Sequence, residues 1–430
     1  MPTPDTPTVS LRQRHANRHE ICELHPLQAL VDEGCVLEEY VVHGVDVREL
    51  VLPDGCDLSG LLMLGCTFED AEQRHLFESR GAYVFPRFEN LPYDPYRPSL
   101  YSVEELFHGY REGGYVGTCD FRIYEHFDRA RRLGFGVSIR ETLAQRIHDH
   151  AIDDALMALL EEKSGEGVVG IMGGHGTKRT DPYYRKVAYL TWDLTRRGYF
   201  IASGGGPGIM EAANLGAYLS SYGNPRVLDA AIEILSDAPK FDGGEKEGTP
   251  EYLAAIDAFI ARARDVVEVF FGEGRDLEAL AKFAPDSDVP GESLAVPTWF
   301  YGHEPSNLFS THIAKYFANS IREDGLLAIS LGGVVFAPGS AGTMQEVFMD
   351  LAQNHYATFK MRSPMVFLGR ERFEPVHRLI CDFIEEKGKT EEYGDLVALF
   401  DDPMDVTDFI LASPPRERAQ HSPLYELVKP

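Results

Sequence analysis

From Val168 onward the chain repeats one unit: a short apolar run, a glycine-rich turn and then a helix-period pattern. Val168 to Met172 is apolar without alternation, as in a strand buried on both faces, and Gly173, Gly174, His175 and Gly176 break it. A helix follows, with Asp181 as N-cap, Pro182 in its first position, Tyr183, Val187, Leu190 and Leu194 on one face, and Gly198 at its end. Tyr199 to Ala202 is the next strand. Gly204, Gly205, Gly206, Pro207 and Gly208 then turn the chain into a helix carrying Ile209, Met210, Ala213 and Ala217. A third unit has the strand Val334 to Ala337, the loop PGSAGT (Pro338 to Thr343) and a helix from near Met344. A strand at Met365 to Leu368, a helix near Pro375 to Glu385, a strand at Leu396 to Phe400 and a last short helix complete the pattern. Strands joined through helices pair in parallel, so the expected class is α/β, a doubly wound parallel sheet covered on both faces. Glycine loops at the C-terminal ends of such strands mark the crevice where these folds bind ligands.

The 430 residues suffice for two cores. We read residues 1–163 as an N-terminal accessory α/β domain, frayed to about Asn17, with apolar runs at Leu61 to Leu64 and Ala82 to Phe85. Its stretch Phe88 to Tyr101, FENLPYDPYRPSLY, suits an ordered surface loop. Residues 164–430 form the repeating domain, interrupted at about 219–297 by an acidic insertion with DGGEKEGTP and a helical stretch from Tyr252 to Val267. Such an insertion lids or extends a site, or forms an oligomer contact.

Forty-one basic residues against 68 acidic ones leave a formal net charge of -27, which repels phosphodiester backbones and anionic lipid surfaces. The chain is therefore expected to bind neither nucleic acid nor membrane. Its two local basic clusters, Arg12 to Arg18 and Arg129 to Arg132, read as solvated faces. Cys22, Cys35, Cys56, Cys66, Cys119 and Cys381 contain no CxxC pair, so neither a disulfide framework nor a cysteine zinc site is expected. The opening MPTPDTPTVS has no apolar signal-like core, and no run reaches the roughly 18 apolar residues of a membrane helix, so a cytoplasmic location is expected.

Glycine loops at helix N-termini let backbone N–H groups approach an anion, and the helix dipole favours it there, so a phosphate-bearing ligand is expected. GGGPGIM lacks the third glycine of the dinucleotide fingerprint GxGxxG, and GGHGTK fails the same test, which disfavours a redox dinucleotide. Gly388, Lys389 and Thr390 copy the tail of a P-loop, but Phe383 stands where its first glycine belongs. GSAG around Ser340 approaches a nucleophile elbow, yet Pro338 occupies the first glycine's place.

The segment from Val168 to about Glu386 resembles the LOG family, the cytokinin-activating phosphoribohydrolases, and within it the longer bacterial nucleotide 5'-monophosphate nucleosidases. The family's PGGxGTxxE appears as PGSAGTMQE (Pro338 to Glu346), and its glycine-triplet loop ending in methionine as GGGPGIM (Gly204 to Met210). GGH at Gly173 to His175 and PxN at Pro305 to Asn307 resemble the longer branch, and Arg322, 16 residues before Pro338, stands for the family's arginine. The resemblance implies a Rossmann-like domain that pairs into homodimers or higher oligomers and hydrolyses a nucleoside 5'-monophosphate to free base and ribose 5-phosphate, without metal or organic cofactor. Glu346 would stabilise the oxocarbenium charge and activate water, and Arg322 would orient substrate or offset charge on the departing base. Gly339, Ser340, Ala341, Gly342 and Thr343 would hold the phosphate. Gly204, Gly205, Gly206, Gly208, Met210, Gly173, Gly174, His175 and Asn307 complete the expected substrate-binding set.

Local readings compete with several of these roles. Thr343 to Glu346 is also a capping box, in which Glu346 bonds back to the N-cap N–H. Arg322 also suits a helix C-terminal cation before Gly325, His175 a loop-packing residue, Met210 a core residue, and Asn307 the cap of a helix from about Leu308. Ser340 in place of the second glycine adds a side chain where backbone should meet phosphate, though its hydroxyl can donate to the anion. Plant-type LOG enzymes carry MHxRK at the arginine; here the run is Ser320, Ile321, Arg322, Glu323, so cytokinin nucleotides are not the expected substrate. The N-terminal domain and the insertion exceed the short LOG architecture, which leaves room for a regulatory nucleotide. The same pocket without catalysis would make a nucleotide or molybdopterin-type carrier.

Overall fold

The computed structural model describes residues 19–34, 36–132, 138–165, 167–301 and 304–417. The basic cluster Arg12 to Arg18, Cys35 and the opening stretch lie outside them. Two compact units divide the chain: residues 1–100 with 122–164, and residues 101–121 with 165–430.

In the first unit, β1 (His19–Ile21), β2 (Tyr40–His43), β3 (Leu62–Leu64) and β4 (Tyr83–Phe85) pair in chain order, every pair parallel. Val42, Met63, Leu58, Leu61 and Phe77 are fully or almost fully buried in its core. The two apolar runs noted in the sequence are β3 and β4. Arg129 and Arg132 pair with Glu125 and Asp128 one helical turn away at the surface, which accounts for that basic cluster as a solvated helix face.

The second unit is built on β5 (Gly167–Met172), β6 (Tyr199–Ser203), β7 (Ser293–Ala295), β8 (His312–Ile313) and β9 (Gly333–Phe336). A short strand β10 (Met361–Arg362) precedes β11 (Met365–Leu368) and β12 (Val397–Phe400), and β13 (Arg416–Glu417) pairs antiparallel with β10. The seven-stranded sheet runs β12-β11-β9-β5-β6-β7-β8, with every pair parallel. This is a Rossmann-like α/β sheet. Its central strands are apolar on both faces because helices cover both: Val169, Ile171, Ile201, Val334, Val335, Phe336, Val366 and Phe367 are completely buried. From β5 the chain winds through β6, β7 and β8 to one side, then returns to β9 on the other. The direction of winding therefore reverses between β5 and β9, the position at whose C-terminal strand ends open α/β sheets bind ligands.

The helix Pro182–Arg196 starts as its residues dictate, with the Asp181 carboxylate accepting from the Tyr183 N–H and Pro182 in the first position. Its buried stripe begins at Tyr184 rather than Tyr183 and continues through Val187, Leu190 and Leu194. The helix Pro250–Phe271 extends the expected Tyr252 to Val267 in both directions, capped by the Thr249 hydroxyl. Two boundaries differ from expectation more consequentially. The stretch 219–297 contributes β7 to the central sheet at its end. The helix after β9 starts at Ala341, not near Met344, and runs to Tyr356.

Candidate functional site

Three glycine loops follow three adjacent strands, β9, β5 and β6, and hydrogen bonds tie them together. The Ala337 N–H donates to Met172 O (2.8 Å), Gly174 N–H to Pro338 O (3.1 Å) and Ile209 N–H to Gly174 O (3.1 Å). Gly174 thus bridges the other two loops, and a Cβ there would meet the Gly339 Cα at 3.1 Å. Gly208 has φ +71°, and a side chain on it would strike the carbonyl oxygens of Gly174 and His175, so glycine is required twice over.

Beneath the β6 loop lies a buried polar network. The Ser203 hydroxyl donates to Asn214 Oδ1 (2.6 Å) and accepts from the Gly205 N–H; Asn214 Nδ2 donates to Ser293 Oγ (2.9 Å). Asn307 joins through Nδ2 to Asn214 Oδ1 (3.0 Å), while its own N–H donates to Gly205 O (3.0 Å). No helix begins at Leu308; Asn307 Oδ1 instead accepts from the Phe309 N–H in a tight turn. Asn307 is 2% exposed: its backbone N–H holds Gly205, and its side chain is spent on Asn214 and Phe309 and is not presented to a ligand. Met210 is half-buried with its thioether folded against Gly204 and Gly206, which places it at the loop surface rather than in the core.

The start of the helix at Ala341 settles the geometry of the motif Pro338 to Glu346. Ser340 is the N-cap residue and its side chain makes no capping hydrogen bond. Ala341, Gly342 and Thr343 form the first turn, whose N–H groups have no intrahelical acceptors. Ser340, Ala341 and Gly342 are exposed and Thr343 is buried. Thr343 is therefore inside the helix and no capping box forms: Glu346 lies in the second turn, where its carboxylate faces Arg322 instead. Arg372, which the sequence reading missed, donates from Nη2 to Gly339 O (3.2 Å) and adds a cation beside this helix N-terminus.

Arg322 sits in the helix Asn319–Ile329, 8% exposed, with Nε donating to Val296 O (2.8 Å) and Nη1 3.5 Å from Glu346 Oε1. It is in the first turn of that helix, so a role as C-terminal cation does not arise. Its Nη2 packs against Gly204, where a Cβ would overlap it. Burial raises the pKa of the Glu346 carboxyl; Arg322 opposes the shift and the neighbouring Glu323 adds to it. Glu323 is held off by Tyr301, whose hydroxyl donates to it (3.0 Å), and by Gln345 and Asn319.

His175 also reaches the β6 loop, where its carbonyl oxygen would meet a side chain on Gly208; its own side chain is 55% exposed, with Nδ1 2.5 Å from Glu304 Oε1. The hydrogen bond to Glu304 raises its pKa, against a smaller opposing effect of burial.

Two buried ion pairs complete the unit, and neither was visible from spacing. Arg179 is fork-bonded to Glu211 (Nε to Oε2 2.9 Å, Nη2 to Oε1 2.6 Å) and donates to Phe259 O and Ala238 O; the Tyr184 hydroxyl donates to Glu211 as well. This fixes the first turn of the helix Ile209–Tyr218. Lys315 Nζ reaches both oxygens of Asp120 (2.7 and 2.9 Å) and Ser306 Oγ, and Trp299 Nε1 donates to Asp120 Oδ1. Among the described residues no group of three or more His, Cys, Asp or Glu side chains could hold a metal ion, and no helix is long and apolar enough to cross a membrane.

No family model matches the chain, and no curated protein matches it. Solved structures do match, among them the molybdenum cofactor binding protein from Rippkaea orientalis. That protein is 14% identical, with a TM-score of 0.29 over 57% of this chain and 96% of its own.

Proposed function

We propose that the chain is a nucleoside 5'-monophosphate N-glycosidase similar to the LOG family, hydrolysing its substrate to free base and ribose 5-phosphate. The observation that carries this reading is the Arg322–Glu346 pair, 3.5 Å apart, set beside Gly204 and one helical turn from the exposed N-terminus at Ala341. An anion held at Ala341, Gly342 and Thr343 leaves the attached sugar within reach of Glu346. Breaking a ribosyl C–N bond builds positive charge on the sugar, and a carboxylate in a partly dry site stabilises that charge strongly while it accepts the proton of the attacking water. Arg322 holds that carboxylate and carries positive charge toward the leaving base. A pure binder has no use for a partly buried carboxylate at this point.

The expected partner is a second copy of the chain, and the expected location is the cytoplasm, in keeping with the thiols of Cys22, Cys56, Cys66 and Cys381, which form no disulfide among the described residues. A nucleotide regulator remains part of the proposal. The test is release of base and ribose 5-phosphate from a panel of nucleoside monophosphates, with the unphosphorylated nucleosides beside them. Hydrolysis of the monophosphates alone supports the reading. Tight binding without turnover makes a carrier the better account.

A further inference from the structure

The loop Gly204 to Gly208 meets two charged pairs, and only one of them is used in the reading above. A Cβ at Gly204 would overlap Arg322 Nη2, whereas a Cβ at Gly206 would lie 3.4 Å from Glu304 Oε2. Gly204 and Gly206 are two residues apart, so their Cα atoms lie within about 7 Å of each other, and the Arg322–Glu346 and His175–Glu304 pairs meet the same short stretch of loop.

The tautomer of His175 follows from its partner. Glu304 is bonded to Nδ1, so Nδ1 carries a proton, and a second proton on Nε2 is favoured by the same carboxylate. Nε2 makes no hydrogen bond to protein among the described residues, and the ring is half exposed. The other groups facing it come from the segment after Pro239: the Phe241 ring at 6.4 Å, and Lys240 and Asp242, whose opposite charges are paired with each other at 2.9 Å. The Glu304 bond sets the net direction, toward the imidazolium.

We propose that His175 is the general acid that protonates the departing nucleobase and that Glu304 is its positioning residue. This rests on the nucleosidase reading. The C1'–N bond breaks with its electron pair going to the base; His175 Nε2 gives that base a proton; the oxygen of water bonds to C1'; and Glu346 takes the proton that water releases. One water is consumed, and the proton lost by His175 equals the one gained by Glu346, so the site returns to its starting charge through solvent.

The test is the pH profile of kcat/KM for the best-hydrolysed monophosphate in the full-length protein, its His175→Asn and Glu304→Gln variants, and Glu346→Gln as reference. The acid form of His175 is the active one, so wild-type activity falls as pH rises through a pKa above the ordinary imidazole value. That limb disappears in His175→Asn, moves to lower pH in Glu304→Gln, and kcat of His175→Asn drops by about 10²–10⁴-fold with KM little changed. From a ribose 5-phosphate bearing a 4-nitrophenoxy group at C1', 4-nitrophenolate departs without a proton, and hydrolysis of this substrate survives His175→Asn but not Glu346→Gln. Retention of the alkaline limb in His175→Asn, or equal losses on both substrates, overturns the general-acid assignment and leaves the nucleosidase standing. Wild-type protein that hydrolyses no monophosphate overturns the nucleosidase reading and this assignment together.

Discussion

Gly204→Ala tests whether the placement of Arg322 matters. The added Cβ would lie less than 2.5 Å from Arg322 Nη2, 3.3 Å from Arg322 Cζ and 2.5 Å from Met210 Sδ, whereas ordinary contact begins near 3.4 Å. The thioether is flexible and can swing away at little cost. The guanidinium cannot, because Nε is pinned to Val296 O at 2.8 Å on its buried side. It must retreat by about 1 Å, which carries Nη1 away from Glu346 Oε1 from an initial 3.5 Å. A displacement of that size at a reacting site costs about 10²-fold in rate, and the overpacking costs about 1–3 kcal/mol of stability. The assay is kcat/KM on the preferred monophosphate, beside a thermal melt, with Gly325→Ala as control. Gly325 lies on the same helix as Arg322 with open space around it, so an alanine there leaves activity unchanged and adds up to about 1 kcal/mol of helix stability. Removing the Met210 thioether in the Gly204→Ala background should rescue nothing. A folded Gly204→Ala protein at wild-type kcat/KM would refute the reasoning, since the guanidinium could then move without consequence.

Glu346→Gln should lower turnover by about 10²–10⁴-fold with the fold intact, as read by base release and circular dichroism. With its pKa raised by burial, the carboxylate is lost as pH falls through that value, so wild-type kcat/KM should show an acidic limb above the ordinary Glu range. Arg179→Met leaves Glu211 charged and buried and should cost about 3–5 kcal/mol in denaturant unfolding, while replacing both partners by apolar residues recovers most of it. Asp350 is completely buried, its Oδ2 has no hydrogen-bond partner, and burial pushes its pKa up from 3.8 to about 8. Between those values the folded state holds the proton that the unfolded state has released. This group's contribution therefore declines by up to about 1.4 kcal/mol per pH unit as pH rises toward 8 and is flat above it. Melting curves of Asp350→Asn should lack that slope, gaining on wild type from pH 5 to pH 8.

The strands of the second unit were legible where they are buried on both faces. Met365 to Leu368 was placed to the residue, and β5, β6, β9 and β12 within one residue at either end, because a continuous apolar run between glycine turns has few other uses. β7 and β8, of three and two residues, are too short to carry a period; they are strands because β6 offers β7 an edge and β7 in turn offers one to β8. The helix start at Ala341 was misplaced because Thr343 and Glu346 match a capping box in sequence, and the alternative partner of Glu346, Arg322, is 24 residues away. Asn307 reads from sequence as a substrate contact or the cap of a helix, whereas two of its partners, Gly205 and Asn214, lie about a hundred residues earlier.

The sequence by itself determined the class of the sheet, the order of its main elements and the three loops at which a ligand could meet backbone. Those follow from burial and from where glycine permits a turn, both written in short windows of residues. Only the tertiary structure decided which charges meet. Arg322 with Glu346, His175 with Glu304, Arg179 with Glu211 and Lys315 with Asp120 are joined across 24, 129, 32 and 195 residues. A charge exerts its force through space, and the chain brings these groups within reach only after the strands between them have found their places in the sheet.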